Sequence, residues 1–312
     1  MDPIKFGEDL ARKAELTYLL ATKEFDWPDL SGQSLVFIGM GSSSYAAQAI
    51  VNRLQNLGHN SIFSLASNPF PPKSSDDKTL IAISATGSSI ETETAFDNAT
   101  GFRSKIWLTN SLKRPKDSVA MQAGIERGEV ASLTYLATHM ALLRLCEQLG
   151  YISNLERSFL LAAEAISDIY DRKEQWLPQL VEHISSPFGT FFIAPSDRIC
   201  SAQQSALMMR ECPRLPAFAC ETGDWAHVDV YLTKTLDYRA VLFPGSVWED
   251  QFFNWTRQRE AKVVTIGFEH QSAATALRYK NDADAIVQLL AEVTFFEVLA
   301  QKIWQSLVDQ AP

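Results

Sequence analysis

Short apolar runs alternate with amphipathic stretches along this chain of 312 residues, and this alternation limits the fold more than any other feature. Apolar runs predict strands near Ser34–Gly39, Ser61–Leu65, Thr79–Ser84 and Ile106–Leu108. The stretches between them have the apolar spacing of helices. Strands that alternate with helices form parallel sheets built from βαβ units, so the sequence predicts an α/β protein.

The same order of elements recurs about 155 residues further along the chain. Phe37-Ile38 aligns with Phe192-Ile193, and Lys105-Ile106-Trp107-Leu108 aligns with Lys262-Val263-Val264-Thr265. These identities are too few to establish a duplication, so the recurrence rests on the order of the elements. We expect two tandem three-layer αβα domains at residues 31–152 and 153–312, each with a parallel flavodoxin-like sheet, after an N-terminal helical segment at residues 1–30.

Further segments predict helices that flank the sheets. Apolar residues at helical spacing predict helices at residues 6–24, 130–149, 155–176 and 285–308. Gly150 is typical of the position that follows the C-terminus of a helix. Residues 68–77, rich in proline, serine and aspartate, predict a surface loop before the third strand.

Charge and composition exclude several classes of protein. The 28 basic and 37 acidic side chains give a net charge of −9, which disfavours nonspecific binding to nucleic acid. The longest uncharged stretch is interrupted by glycines and serines, so no transmembrane segment is expected. The chain has four cysteines and does not begin with a secretory leader, so we expect a cytoplasmic protein with free thiols.

Two loops that follow predicted strands are rich in hydroxyl groups. The first is Gly39-Met40-Gly41-Ser42-Ser43-Ser44, and the second is Ser84-Ala85-Thr86-Gly87-Ser88-Ser89. Ligands of open parallel sheets bind beyond the carboxyl ends of the strands, and a helix that begins there offers unpaired N–H groups to an anion. The loops therefore predict a site for a phosphate group. Serines at these positions are also common helix caps, and that alternative stays open.

The motifs of other anion-binding sites are absent. The dinucleotide motif G-x-G-x-x-G fails at Ser44, and the second strand ends without an acidic residue for a ribose. Neither a P-loop nor a G-x-S-x-G motif occurs. Cys200, Cys212 and Cys220 lack the spacing of metal ligands. We expect neither a cofactor nor a metal.

Three segments of the first half resemble motifs of one known family, the sugar isomerase (SIS) domain proteins. Met40–Ser43, followed by Tyr45, is similar to the family's small-Gly-Thr-Ser motif. The loop that begins at Ser84 is similar to the family's Ser-x-Ser-Gly-Glu-Thr motif. The segment from Glu126 to Ser132 is similar to Glu-Ile-Gly-Val-Ala-Ser, with one extra residue. The resemblance is strongest to the isomerase portion of glucosamine-6-phosphate synthases. It implies two SIS-type domains, a sugar contact at Ser132, and a sugar phosphate held by Ser42, Ser43, Ser84, Thr86 and Ser89.

Two segments of the second half are similar to the catalytic motifs of the same enzymes. Glu211 lies 16 residues before His227, and the segment Gly223–His227 is similar to Gly-Glu-Leu-Lys-His. By this resemblance, Glu211 moves a proton between C1 and C2, and His227 opens the sugar ring from the neighbouring subunit of a homodimer. Partial desolvation of a carboxylate raises its pKa towards the value that a general base needs. A solvated ion pair between Glu211 and Arg210 is the alternative.

Several positions depart from the pattern of the synthases. Ala85 stands where the family has Gln, and Ala226 where it has Lys. We also expect that the chain lacks the glutaminase domain and the sugar-contacting lysine of the C-terminal tail. The aromatic cluster of Trp248, Phe252, Phe253 and Trp255 has helical spacing and predicts a core or an interface.

The resemblance to the SIS family implies a phosphosugar aldose-ketose isomerase that works through an enediol or enolamine. Two alternatives stay open. One is a deaminase or deglycase of aminosugar phosphates, and the other is a noncatalytic regulator that binds a sugar phosphate.

Overall fold

A computed structural model describes residues 1–69, 73–113 and 117–310 of the protein. Within these residues, two parallel sheets of five strands each organise the chain. The α/β class with parallel sheets is therefore confirmed. Residues 70–72 of the predicted loop at 68–77 lie outside the described residues.

The first sheet has its strands in the order β2-β1-β3-β4-β5. Their bounds are β1 (Ser34–Gly39), β2 (Ser61–Leu65), β3 (Lys78–Ile83), β4 (Ser104–Thr109) and β5 (Ser118–Ala120). The connections leave β1 and β3 in opposite directions across the sheet, so the loops after these two strands separate and form a crevice at the carboxyl edge. The two hydroxyl-rich loops follow these two strands.

The second sheet repeats this arrangement in the order β7-β6-β8-β9-β10. Its strands are β6 (Thr190–Ala194), β7 (Ala217–Glu221), β8 (Arg239–Leu242), β9 (Lys262–Ile266) and β10 (Thr275–Leu277). The recurrence of elements that the sequence predicts is thus confirmed at the level of strand order. The corresponding crevice lies between the loops after β6 and β8.

The helices of the described residues cover the sheets and flank them. Their bounds are α1 (Pro3–Ala11), α2 (Lys13–Ala21), α3 (Gly41–Asn56), α4 (Ile90–Asn98), α5 (Leu133–Gln148), α6 (Leu155–Asp171), α7 (Lys173–Ile184), α8 (Ile199–Glu211), α9 (Thr222–Trp225), α10 (Glu249–Gln258), α11 (Ala285–Ala291) and α12 (Thr294–Asp309). All six residues of β1 are buried, as expected for a parallel strand that is covered on both faces.

Three segments predicted as single helices are each broken into two. The segment at 6–24 forms α1 and α2, the segment at 155–176 forms α6 and the start of α7, and the segment at 285–308 forms α11 and α12. Apolar spacing continues across each break, so the sequence period does not reveal it. At each break a charged side chain forms an ion pair: Arg12 with Asp9, Arg172 with Asp168, and Glu292 with Arg198.

The chain divides into two compact units. The first-sheet unit comprises Leu16–Glu126 and Ala131–Phe159, and the second-sheet unit comprises Met1–Glu15, Arg127–Val130 and the chain from Leu160 onward. In the second-sheet unit, α1 packs on α12, and the Gln301 amide donates a hydrogen bond to the Pro3 carbonyl. The predicted domain limits of 1–30, 31–152 and 153–312 stay a prediction.

All four cysteines are buried and free, which confirms that they are thiols. Burial raises the pKa of the thiols of Cys146, Cys212 and Cys220 to about 12. In the part of the chain that the structure describes, no helix is both long enough and apolar enough to span a bilayer.

Candidate functional site

The loop after β1 leads directly into α3 and leaves the start of that helix without a side-chain cap. Met40 occupies the cap position and cannot accept a hydrogen bond from the first turn, and Gly41 has a φ of +52°. Ser44 turns its hydroxyl back to the Gly41 carbonyl, at 2.7 Å. Ser42 and Ser43 are half-buried in this first turn. The unpaired N–H groups of a 16-residue helix and two hydroxyls therefore lie together, which suits an anion.

Gly39 brings this loop close to the end of β3. A Cβ atom on Gly39 would lie 3.2 Å from the Ser43 Cβ and 3.2 Å from the Ile83 carbonyl oxygen. Gly39 pairs with Ile83 in the parallel register, so the two hydroxyl-rich loops begin side by side. The absence of a side chain at Gly39 permits this close approach.

The loop after β3 is held together by its own hydrogen bonds. The buried Ser84 hydroxyl accepts from the Gly87 N–H at 3.2 Å, and Gly87 has a φ of +66°. The exposed Thr86 hydroxyl accepts from the Ser88 hydroxyl at 2.9 Å. These bonds hold the hydroxyls of Ser84, Thr86 and Ser88 within one short loop.

Ser89 caps α4, as the alternative interpretation of these serines predicts. Its hydroxyl accepts from the Thr92 N–H at 3.4 Å and donates to the Glu91 carboxylate at 3.1 Å. Glu91 and Glu93 place negative charge in the first turn of α4. A phosphate would have to displace Glu91 to bind Ser89, so the start of α3 is the more favourable of the two helix ends.

Two hydroxyls that the sequence analysis missed lie beside the second loop. A Cβ on Gly87 would lie 3.1 Å from the Thr109 Oγ1 and 3.2 Å from the Ser111 Cβ. Thr109 ends β4, the neighbour of β3 in the sheet. No local motif marks these residues, because only the strand order brings them to Gly87.

Ser132 precedes α5 and is fully buried. Its N–H donates to the Glu126 carboxylate at 2.7 Å, and the Thr134 N–H donates to the same carboxylate at 2.9 Å. The Ser132 hydroxyl is enclosed and has no hydrogen-bond partner among the described residues. Burial raises the pKa of Glu126, and the hydrogen bonds from α5 partly offset that rise. Glu126 begins the motif at 126–132, but the motif does not reveal that it caps α5.

Glu211 is the last residue of α8 and is half-buried. Burial raises the pKa of its carboxyl group. The neighbouring Arg210 donates its Nε–H to the Ala206 carbonyl, and no ion pair joins it to Glu211 in the described residues. The solvated ion pair that was the alternative interpretation is therefore not formed.

His227 follows α9 and lines a cleft of about 490 Å³ within the second-sheet unit. The cleft is also lined by Glu221, Gly223, Asp224, Trp248 and Gln251. The backbone N–H of His227 donates to the Asp224 carbonyl at 2.8 Å, and the imidazole is exposed. Glu221 is a further residue that the sequence analysis missed, because it belongs to β7, a strand that was not predicted.

The aromatic cluster near this cleft is only partly core. Phe252 and Phe253 are buried as predicted, whereas Trp248 is 53% exposed and Trp255 is 38% exposed. The core prediction is therefore confirmed for Phe252 and Phe253, and an interface at Trp248 and Trp255 stays a prediction. Helical spacing alone does not separate these residues, because Trp248 precedes α10 and belongs to the loop after β8.

The predicted site residues are divided between the two units. Ser132 and the five hydroxyl residues of the two loops belong to the first-sheet unit, and Glu211 and His227 belong to the second-sheet unit.

One curated relative is the glutamine–fructose-6-phosphate aminotransferase (isomerizing) of Methanocaldococcus jannaschii. It is 28% identical over 247 residues, which cover 74% of this chain and 22% of that protein. The chain thus corresponds to about a fifth of the length of this relative. No family model matches the chain.

Solved structures with the same fold cover nearly the whole chain. The C-terminal domain of glucosamine-fructose-6-phosphate aminotransferase from Francisella tularensis has a TM-score of 0.78 at 12% identity and covers 96% of both chains. Glucosamine-6-phosphate deaminase from Thermotoga maritima has a TM-score of 0.74 at 16% identity and covers 97% of this chain and 94% of its own. Tagatose-6-phosphate ketose/aldose isomerase from Escherichia coli has a TM-score of 0.71 at 14% identity, and the match covers 100% of this chain and 96% of that one.

The loop motifs, the repeated strand order and these comparisons agree. The chain has the fold of the sugar isomerase (SIS) family, and it resembles the isomerase portion of the glucosamine-6-phosphate synthases.

Proposed function

We propose that this protein is a phosphosugar isomerase that interconverts an aldose phosphate and a ketose phosphate. One observation carries the proposal: two hydroxyl-rich loops begin side by side at the crevice of the first sheet, next to the uncapped start of α3. Hydroxyls and helix N–H groups at such a crevice recognise a phosphate without needing a basic side chain. The similar structures named above include an isomerase of a sugar phosphate.

The substrate phosphate binds in this proposal to the hydroxyl-rich loops. Ser132 is the proposed contact of the sugar, which requires a local movement that exposes its unpartnered hydroxyl. The phosphate ligands are Ser42, Ser43, Ser84, Thr86 and Ser89. Ser42 and Ser43 make the first contacts, because Ser89 must first be released from Glu91.

Glu211 is the proposed base of the isomerisation. Its carboxylate takes the proton from C2 of the open-chain aldose, and the electron pair of the C–H bond forms the C1–C2 double bond while the C1 carbonyl oxygen takes a proton from water, which gives an enediol. Glu211 then returns its proton to C1, and the C2 hydroxyl gives its proton back to water and becomes the ketone of the ketose. The raised pKa of Glu211 supports this role, because a carboxylate with a higher pKa is a stronger base and takes the C2 proton more readily.

His227 assists ring opening by giving a proton to the ring oxygen and taking one from the C1 hydroxyl. The SIS resemblance supports a homodimer in which the partner's His227 performs this step. It also supports two tandem SIS-type domains at residues 31–152 and 153–312.

The test is the Glu211→Gln variant, with the exposed Glu182→Gln variant on α7 as the matched control. We expect the variant to lower kcat for aldose-to-ketose conversion by about 10²-fold or more, since it removes the general base. Thermal shift separates binding from chemistry, because a ligand at about 100 times its Kd stabilises a protein by roughly 2.7 kcal/mol. Glu211→Gln should keep the shift that phosphorylated sugars cause, and unphosphorylated sugars should cause none.

The same panel decides between the proposal and its rivals. If the protein releases ammonia from an aminosugar phosphate, its reaction is deamination and not isomerisation. Deamination is the activity in the name of the Thermotoga structure. A phosphate-dependent shift without turnover of any sugar would indicate a binding protein. Flat traces for every phosphorylated sugar would refute the phosphate site itself.

A further inference from the structure

The cleft that His227 lines combines an aromatic wall with negative charge. Glu221 and Asp224 line it together with Trp248 and Gln251, and no lysine or arginine is among its described lining residues. No described ion pair neutralises either carboxylate. A cleft of about 490 Å³ is large enough for a small organic group.

The electrostatic surroundings agree with an unbalanced negative potential. Burial, and then the charge of Asp224, raises the pKa of the nearby Asp229. Burial is also the main cause of the raised pKa of Cys220, and the charges of Asp229, Asp224 and Glu221 add to it. A cation bound in the cleft would relieve this repulsion.

Trp248 is held in place although half of its surface is exposed. A Cβ on Gly223 would lie 2.8 Å from the Trp248 Cδ1, so the edge of the indole rests directly on the glycine. The backbone N–H of Trp248 donates to the Ser246 hydroxyl at 3.2 Å, and the backbone N–H of Ser246 donates to the Glu249 carboxylate at 3.0 Å. These bonds order the backbone of the loop that carries Trp248.

Glu221 is fixed in a comparable way. One of its carboxylate oxygens, Oε2, accepts from the Gly223 N–H at 2.7 Å and from the Asp224 N–H at 2.9 Å. The other oxygen has no hydrogen-bond partner in the described residues and is available to a donor. Fixed aromatic and carboxylate groups in one cleft are what recognises an organic cation, through cation–π and charge-assisted contacts.

We propose that this cleft is a binding site for an organic primary ammonium group. The alkyl chain next to the ammonium packs on the Trp248 indole, while Glu221 and Asp224 accept its N–H donors. The cation can be a free amine or an amine carried by a sugar phosphate. The site lies within the second-sheet unit, and it shares His227 with the proposed isomerase.

The test uses n-butylammonium chloride as the probe and n-butanol as its neutral counterpart, by isothermal titration calorimetry on the full chain. At pH 8 the probe is charged. We expect butylammonium to bind about fivefold more tightly than butanol, and the preference to fall when salt is raised to about 0.5 M.

The variants separate the charge from the aromatic surface. The double variant E221Q/D224N should weaken butylammonium binding about fivefold, and the amide that replaces the Glu221 carboxylate keeps an oxygen that can cap α9. Trp248→Leu should weaken it about threefold through loss of the cation–π contact. Asp250→Asn, which removes an exposed carboxylate of α10 outside the cleft lining, is the matched control and should change binding less than about twofold.

A second pair of ligands distinguishes the source of the amine. If glucosamine 6-phosphate binds more tightly than glucose 6-phosphate, and E221Q/D224N abolishes that difference, the amine is carried by the sugar. If only butylammonium shows the difference, the ligand is a free amine. Equal affinity for butylammonium and butanol, or amine binding that E221Q/D224N leaves unchanged, would overturn the proposal without bearing on the isomerase activity.

Discussion

The buried carboxyl group of Glu292 should make the stability of the protein depend on pH. Glu292 lies at the break between α11 and α12, is fully buried, and forms an ion pair with Arg198. Arg198 also donates to the Pro244 carbonyl in the loop after β8. Burial raises the pKa of Glu292 to about 7, although the attraction of Arg198 opposes the rise.

The sign and size of the effect follow from this value. The unfolded chain releases the Glu292 proton near its ordinary pKa of 4.5, and the folded protein keeps it until about 7. The folded state therefore binds more protons between these values, and the free energy of unfolding falls as pH rises through this window. A difference of about 2.5 pKa units corresponds to roughly 3 kcal/mol in total, of which about 2 kcal/mol falls between about pH 5.5 and 8.

Glu292→Gln removes this contribution while keeping the shape of the side chain. Urea unfolding at several pH values between about 5.5 and 8, on the variant and the wild type, gives the difference in unfolding free energy. We expect the variant to gain about 2 kcal/mol relative to the wild type across this range. Other carboxyl groups with raised pKa values, such as Glu126 and Glu211, are present in both proteins and cancel in the difference.

Glu182→Gln on the surface of α7 is the control, and its unfolding free energy should follow that of the wild type at every pH. A constant difference between Glu292→Gln and the wild type across the whole pH range would refute the reasoning. It would mean that Arg198 keeps Glu292 ionised in the folded state throughout this range.

Two glycine positions give further predictions. Gly128→Ala would place a Cβ 2.5 Å from the Phe6 Cα. We expect the free energy of unfolding in urea to fall by about 1–3 kcal/mol and amide exchange in α1 to become faster. Unchanged exchange would contradict this prediction. Gly39→Ala would push Ser43 and the Ile83 carbonyl apart by a few tenths of an ångström. We expect it to cost about 1 kcal/mol of stability and to reduce the thermal shift caused by sugar phosphates, and an undiminished shift would contradict it.

The long central strands could be predicted from the sequence, whereas the short strands could not. β1 is six consecutive buried residues, and such an apolar run is visible without tertiary information. β5 and β10 have three residues each, which is too few for any period. β7 exposes Phe218 and Ala219 on the edge of the second sheet, so its sequence lacks the continuous apolar run of the buried strands.

The candidate site was predictable where its chemistry is local. Glycine and serine between a strand and a helix reveal a hydroxyl-rich loop directly, as at Ser42 and Ser43. The proximity of Thr109 to Gly87 depends on which strands are neighbours in the sheet. The hydrogen bond from the Ser89 hydroxyl to the Glu91 carboxylate depends on the conformations of both side chains. These contacts follow from the folded structure and leave no pattern in the sequence.

The two sheets have the same strand order, yet their crevices differ in chemistry. In the first, the loops after β1 and β3 carry neutral hydroxyls beside an uncapped helix start. In the second, Arg198 joins the loops after β6 and β8 by its bond to the Pro244 carbonyl, and it also donates to the buried carboxyl group of Glu292. A guanidinium group whose donors are already used by a carbonyl and a buried carboxyl group offers little to a further anion. The repeat therefore accounts for the architecture, and the loop residues restrict the proposed phosphate site to the first sheet.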